Sequence, residues 1–157
     1  MLFQFESKSP QATSELAESL APWLDFGDEL LLDVQVGSGK SHFARSLIRA
    51  LCGQQSEVPS PSFTLVQTYE YLRGQVWHID LYRLAGAEEV AELGLETAWL
   101  SAIAIVEWPD RLGRTRPARH LAIDISPHAF EENWRNIRIA PKGDWPWLDG
   151  ALGQFDA

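Results

Sequence analysis

The apolar run Leu30-Leu31-Leu32 leads into Val36-Gly37-Ser38-Gly39-Lys40-Ser41, and helical periodicity then resumes through Phe43, Leu47 and Ile48. A buried strand, a glycine-framed turn and a helix in immediate succession fit few architectures, and the phosphate-binding loop is the foremost of them. Gly37 and Gly39 permit backbone that residues with side chains adopt poorly. The freed N–H groups and the helix N-terminus then point at an anion. In such a loop Lys40 reaches the β- and γ-phosphates and the Ser41 hydroxyl holds Mg²⁺. The full pattern places a further glycine five residues before Gly39, where this chain has Val34. A β-branched residue rarely takes positive φ, so a left-handed conformation at Val34 would store about 1–3 kcal/mol of strain.

The rest of the chain bounds the setting. A length of 157 residues suggests one domain with a real core, and seven tryptophans argue for a folded globule. A net charge of -9 argues against broad charge-driven binding to nucleic acid or anionic membrane. It suits docking on a basic partner face or on a protein that itself holds RNA. The single Cys52 excludes an internal disulfide. The apolar runs are too short to span a bilayer, and no secretory signal is evident, so a cytoplasmic enzyme or nucleotide switch is expected.

Leu2, Phe3 and Phe5 suggest a first strand, and Ser9-Pro10 an N-cap with proline at the first helical position. Leu16, Leu20, Trp23 and Leu24 fall on one helical face, and Thr13 reads most simply as a solvated helix residue. Glu29 to Asp33 is the buried strand. The phosphate-loop helix runs to about Cys52, closed by Gly53. Ser60-Pro61-Ser62-Phe63-Thr64 is a proline-stiffened connection at the place of a first switch, or simply a rigid turn. Phe63–Tyr71 and Val76–Asp80 read as a hairpin turning at Arg73-Gly74-Gln75, with His78 and Asp80 on one face. Asp80 stands at a strand end, where carboxylates of α/β folds do chemistry. Tyr82 and Arg83 read as a structural hydrogen bond and salt bridge. Ile103-Ala104-Ile105-Val106-Glu107 is the second buried parallel strand, and an acid at its end is the layout that holds Mg²⁺ or orients water. Arg111, Arg114, Arg116 and Arg119 crowd one loop, read as solvated, as a lid on phosphates, or as a patch for RNA or a partner. Two strands follow, His120–Ser126 and Trp134–Ala140, and the tail from Pro141 is apolar enough to pack back on the body.

The set Gly37-Ser38-Gly39-Lys40-Ser41, Ser60-Pro61-Ser62-Phe63-Thr64-Leu65, His78-Ile79-Asp80-Leu81-Tyr82-Arg83-Leu84, Gly94-Leu95 and Glu107-Trp108-Pro109 closely resembles the bacterial TsaE (YjeE) family. The resemblance runs from about Pro10 to Ala140. It implies an α/β, P-loop NTPase-like three-layer fold with a mixed, partly parallel central sheet, residues 1–140 forming the domain and 141–157 a tail on it. It implies an ATPase with ATP and Mg²⁺ as cofactors and slow hydrolysis. TsaD and TsaB are the implied partners and tRNA is reached indirectly through them, in threonylcarbamoyladenosine modification, the chain alone being a monomer or weakly self-associating. The matching positions imply catalytic Lys40, Asp80 and Glu107, and metal contacts at Ser41 and Glu107. They imply cofactor contacts at Gly37, Ser38, Gly39, Lys40, Ser41, His42, Thr13, Trp108 and Arg135, with a switch at Ser60, Pro61, Ser62, Phe63 and Thr64. The chain departs from the family at Val34 and Gln35, where Gly and Asp are usual. Two other functions compete: a small-molecule kinase with the arginine loop as lid and Asp80 as base, and a non-hydrolysing scaffold whose loop Val34 has degraded.

Overall fold

A computed structural model of the chain describes residues 2–34, 40–53, 57–59, 61 and 65–155, with only the backbone of Val34, Lys40 and Ser41. Seven strands form one sheet: β1 (Phe3–Ser7), β2 (Glu29–Val34), β3 (Val66–Tyr71), β4 (Gly74–Asp80), β5 (Ala102–Glu107), β6 (His120–Pro127) and β7 (Arg135–Lys142), in the order β1-β7-β6-β2-β5-β4-β3. The four central strands β6, β2, β5 and β4 are parallel, and the flanking pairs are antiparallel. The sheet is thus mixed and partly parallel, as the resemblance implies.

Side-chain alternation divides the core into two layers. Leu30, Leu32, Val76, Ile103, Ile105, Ile123 and Ile139 face one side. There they meet α1 (Pro10–Leu20), α2 (Lys40–Cys52) and the short α5 (Leu148–Leu152) through Leu16, Leu20, Phe43, Leu47, Ile48, Leu148 and Leu152. Leu31, Ile79, Ala104 and Val106 face the other side, against Val90 of α3 (Ala87–Ala91), Leu95 before α4 (Glu96–Ser101), and Leu112 of a 3-10 segment at Pro109–Thr115. Every residue of β5 is buried, which explains its uninterrupted apolar run. At Gly113 a Cβ would lie 2.7 Å from that of Ala87 and φ is +53, so only glycine lets the 3-10 segment close on α3.

Local signals place the elements. The Ser9 hydroxyl caps α1 by accepting from the Ala12 N–H at 3.0 Å, with Pro10 at the first helical position. Gly53 (φ 121) closes α2, its N–H donating to the Arg49 carbonyl at 2.8 Å. The hairpin turns at Leu72-Arg73, since Tyr71 pairs directly with Gly74, starting one residue earlier than the polar composition of 73–75 suggests. Trp23 leaves the core face predicted for it and is 47% exposed. The α-helix ends at Leu20 and a 3-10 turn containing Pro22 changes the phase, so Trp23 stacks instead on Trp147 at 6.1 Å and 9°.

Candidate functional site

The parallel strands β2, β5 and β4 end together. Glu107 pairs with Leu32 on one side and with Asp80 on the other. Residues in parallel register share a face, and Leu32 and Ile105 face α2, so Asp80 and Glu107 point to the α2 side as well. Both are buried, at 1% and 0% exposure. The strand that leads into α2 is therefore the immediate neighbour of Glu107, and the two carboxylates stand in register at the C-terminal end of β4 and β5. Carboxylates withdrawn from water need a partner charge or hydrogen bonds.

One partner is internal. His78 Nε2 donates to Glu107 Oε2 at 2.7 Å, with side chains 2% and 1% exposed. His78 pairs with Ile105, two positions short of Glu107, so the contact is diagonal on the shared face. Glu107 Oε1 and His78 Nδ1 are buried without a hydrogen-bond partner among the described residues. Sequence reasoning sets His78 beside Asp80 but misses its bond to Glu107. The signal was His78-Ile79-Asp80 ending on the same register line as Glu107, which requires knowing that β4 and β5 are neighbours.

The backbone around the acids is constrained. Asp80 Oδ1 accepts from the Tyr82 N–H at 2.9 Å, and the Asp80 N–H donates to the Leu65 carbonyl at 2.8 Å. Leu65 in turn donates to the Pro61 carbonyl at 2.7 Å, which ties the exit of the predicted switch segment to Asp80. Among the described residues, positive φ outside glycine occurs only at Leu65 (68°) and Trp108 (60°), one bonded to Asp80 and the other following Glu107. Such conformations cost of order 1–3 kcal/mol and collect where a chain must be held in one shape. The Trp108 ring packs into the layer opposite α2, 4.9 Å from Tyr82 and 5.8 Å from the Arg111 guanidinium. Trp108 thus packs on the face of the sheet opposite to Glu107.

Thr13, His42 and Arg135 lie on the other flank of the same edge. Thr13 is buried at 4% exposure, not solvated, because its hydroxyl meets Ser7 Oγ at 2.6 Å. Ser7 pairs with Arg135, whose Nη1 donates to the Glu132 and Trp134 carbonyls at 2.8 Å. His42 Nε2 lies 2.9 Å from both the Pro10 carbonyl and Ser14 Oγ, joining the starts of α1 and α2. Gly37, Ser38 and Gly39, the side chains of Lys40 and Ser41, and Ser60, Ser62, Phe63 and Thr64 lie outside the described residues. Pro61 is described, and buried.

Two further expectations change. Val34 is the last residue of β2, paired with Ile125 in extended backbone, a conformation that β-branched residues favour, so the strain expected of a left-handed valine does not arise. The four arginines do not form one lid. Arg111 Nε donates to the Leu84 carbonyl at 3.0 Å and Arg116 to the Pro109 carbonyl at 3.5 Å. Arg119 sits at the opposite end of the sheet, paired with Asp28 at 2.7 Å. A chain that spans the whole length of the sheet between residues 107 and 120 cannot keep all four guanidinium groups at one end.

Fold and edge together define an α/β protein of the P-loop NTPase-like class. The comparisons carry this further. The family model described as "Threonylcarbamoyl adenosine biosynthesis protein TsaE" matches residues 7–137. Proteins named tRNA threonylcarbamoyladenosine biosynthesis protein TsaE are similar to this chain. That of Rickettsia conorii is 35% identical over 83% of this chain and 74% of its own length. That of Aquifex aeolicus is 34% identical over 86% and 93%, and that of Treponema pallidum 30% over 85% and 97%. The crystal structure of YdiB from Bacillus subtilis shares the fold, with a TM-score of 0.77 and 22% identity over 99% of this chain and 94% of that one. The chain belongs to the TsaE family of threonylcarbamoyladenosine biosynthesis.

Proposed function

We propose that this protein binds ATP with Mg²⁺ at the C-terminal edge of β2, β5 and β4, hydrolyses it slowly, and acts on a TsaB–TsaD transferase complex during tRNA threonylcarbamoyladenosine modification. The observation that carries the reading is the registered pair Asp80–Glu107, buried on the α2 face and beside β2, the strand that precedes the glycine-rich sequence 37–39. Had these acids lain at the far end of the sheet, the motif would have had no metal-side chemistry to work with.

The residues suit the missing groups. Glu107 Oε1 is a buried acceptor with no donor among the described residues, which is the state of an oxygen kept for a cation or a water. Magnesium takes one or two carboxylates and completes its shell with phosphate oxygens and water, so a pair of acids is enough. Ser41 and Glu107 would hold it, and it would supply charge neutralisation at the β- and γ-phosphoryl oxygens. Lys40 and the amides of Gly37 to Ser41 grip the phosphates. Asp80, held by the Tyr82 N–H and by the Leu65 carbonyl on its own N–H, orients the attacking water. Arg135, Thr13 and His42 border the other flank and shape the pocket for the rest of the nucleotide. Turnover by the isolated chain is slow because such sites commonly need a further element supplied by a docked partner.

Calorimetry with ATP and Mg²⁺, followed by hydrolysis assays with and without TsaB, TsaD and tRNA, tests the reading. Binding with partner-stimulated hydrolysis supports it. No heat up to millimolar ATP leaves a scaffold, and phosphoryl transfer to a small acceptor makes a kinase.

A further inference from the structure

We propose that His78 is a positioning residue for Glu107: its Nε2–H fixes Oε2 so that Oε1 alone is presented to the magnesium of bound nucleotide. The inference deepens the reading above and rests on it.

Four observations meet here. The His78–Glu107 contact is 2.7 Å between side chains 2% and 1% exposed, so water does not compete for it. A carboxylate that ligates a cation can only accept, so in that form the His78 Nε2–H is the donor. The two groups sit on rigid central strands, diagonal to one another in the β4–β5 register, with no loop in between. The one Glu107 oxygen that His78 leaves over is buried and has no partner among the described residues.

A carboxylate has two equivalent oxygens and a free torsion, and without a second contact it can turn away from a cation or engage it with both oxygens. Hydrogen-bonded partners of ligating carboxylates fix that choice, and losing one typically lowers metal affinity about 10- to 100-fold.

Two variants separate the roles. His78→Leu removes the donor at similar volume, and His78→Gln returns an N–H at the reach of Nε2. ATP affinity is measured by calorimetry across a magnesium series and in EDTA, with no turnover required. His78→Leu is expected to raise the magnesium concentration needed for half-maximal tightening about 10- to 100-fold, with His78→Gln recovering most of it. In a Glu107→Gln background the further change to Leu is expected to have little effect on magnesium dependence, because the path runs through that carboxylate. Should His78→Leu prove unfolded by circular dichroism, His78→Gln against His78→Asn gives the same reading, since the shorter amide cannot reach Oε2. Wild-type magnesium dependence in His78→Leu, or a full His78 effect persisting in Glu107→Gln, overturns the inference while leaving ATP binding intact. Wild-type protein that binds no ATP at all overturns the functional reading itself, and this inference with it.

Discussion

At the N-terminal edge of the parallel strands Asp28 and Glu29 are buried beside Arg119. At the C-terminal edge Asp80 and Glu107 are buried beside His78. The residue types nearly match, yet the partners differ. Both oxygens of Asp28 are used, one by Arg119 at 2.7 Å and the other by the Asp25 N–H at 2.9 Å. Arg119 is itself held by the Asp144 carbonyl at 2.9 Å and lies 3.6 Å over the Trp145 ring. Glu29 is pushed up to about 8, chiefly by burial and then by Asp28, and so carries a proton at neutral pH. Asp28 is closed off within the protein, while Glu29 Oε1 is buried without a hydrogen-bond partner among the described residues and is kept neutral by its raised pKa. Glu107 keeps one oxygen unspent, next to the chain that enters α2. A buried, unpartnered oxygen alone does not set the two edges apart; what sets Glu107 apart is its bond to His78 and its place in register with Asp80, one strand from the chain that enters α2.

The largest predicted effect breaks the symmetry directly. Lys40→Ala or Glu107→Gln should lower ATP affinity or turnover by about 100-fold or more, the usual cost of removing one preorganised charge contact. Asp28→Asn should leave ATP affinity unchanged and lower only the melting temperature. Calorimetry and thermal melts on the three variants test this, and ATP affinity lost equally in Asp28→Asn would erase the distinction between the two edges.

Next comes Arg119→Ala. It removes a charge-assisted bond to Asp28 and a cation–π contact to Trp145, in a side chain that is 38% exposed, so screening trims the effect. A loss of about 2 kcal/mol by denaturant unfolding is expected, with nucleotide binding intact. Reduced ATP affinity in this variant would restore the arginine lid.

Glu29→Gln is smaller and depends on pH. The folded pKa lies above the ordinary 4.5, so the folded state binds the proton more tightly than the unfolded chain. The stability tied to this group is fully present below pH 4.5 and is lost as pH rises toward 8. The glutamine variant should match wild type near pH 4.5 and exceed it by about 1–2 kcal/mol at pH 8, after allowance for burying the amide. Melting curves across that range test the sign, and a variant less stable at every pH would show Glu29 to be ionised in the fold.

Much of this was legible in the sequence, where one short stretch decides the answer. The run 103–107 predicts a central parallel strand because every position is buried, and Ser9-Pro10 predicts a helix start because cap and proline chemistry are local. The ends of β2 and α2 follow from the glycines and the change of period. What was illegible needed two distant stretches at once. His78 meets Glu107 only through the β4–β5 register, and Thr13 is buried only because Ser7 of β1 reaches it. Arg119 leaves its loop-mates because β6 begins at the opposite edge. The apolar tail packs back as its composition suggests, but that Trp145, Leu148 and Leu152 are the residues that join the core is announced by no local period.

The smallest effect sharpens the comparison through the backbone. Gly27 makes the turn before β2 with φ 89, whereas the C-terminal edge uses Leu65 at φ 68, a conformation in which a Cβ is crowded. Glycine serves where only the turn matters; at Leu65 a side chain is kept although it costs stability. Leu65→Gly relieves the crowding but frees the unfolded chain, so the two terms offset within about 1 kcal/mol. Leu65→Val, branched at Cβ, should be less stable than wild type by about 1 kcal/mol more than that balance. The expected order in denaturant unfolding is Gly at or above Leu, with Val lowest. Equal stability of Gly and Val would mean that the left-handed backbone at Leu65 is not kept in solution, and the tie from Pro61 to Asp80 would go with it.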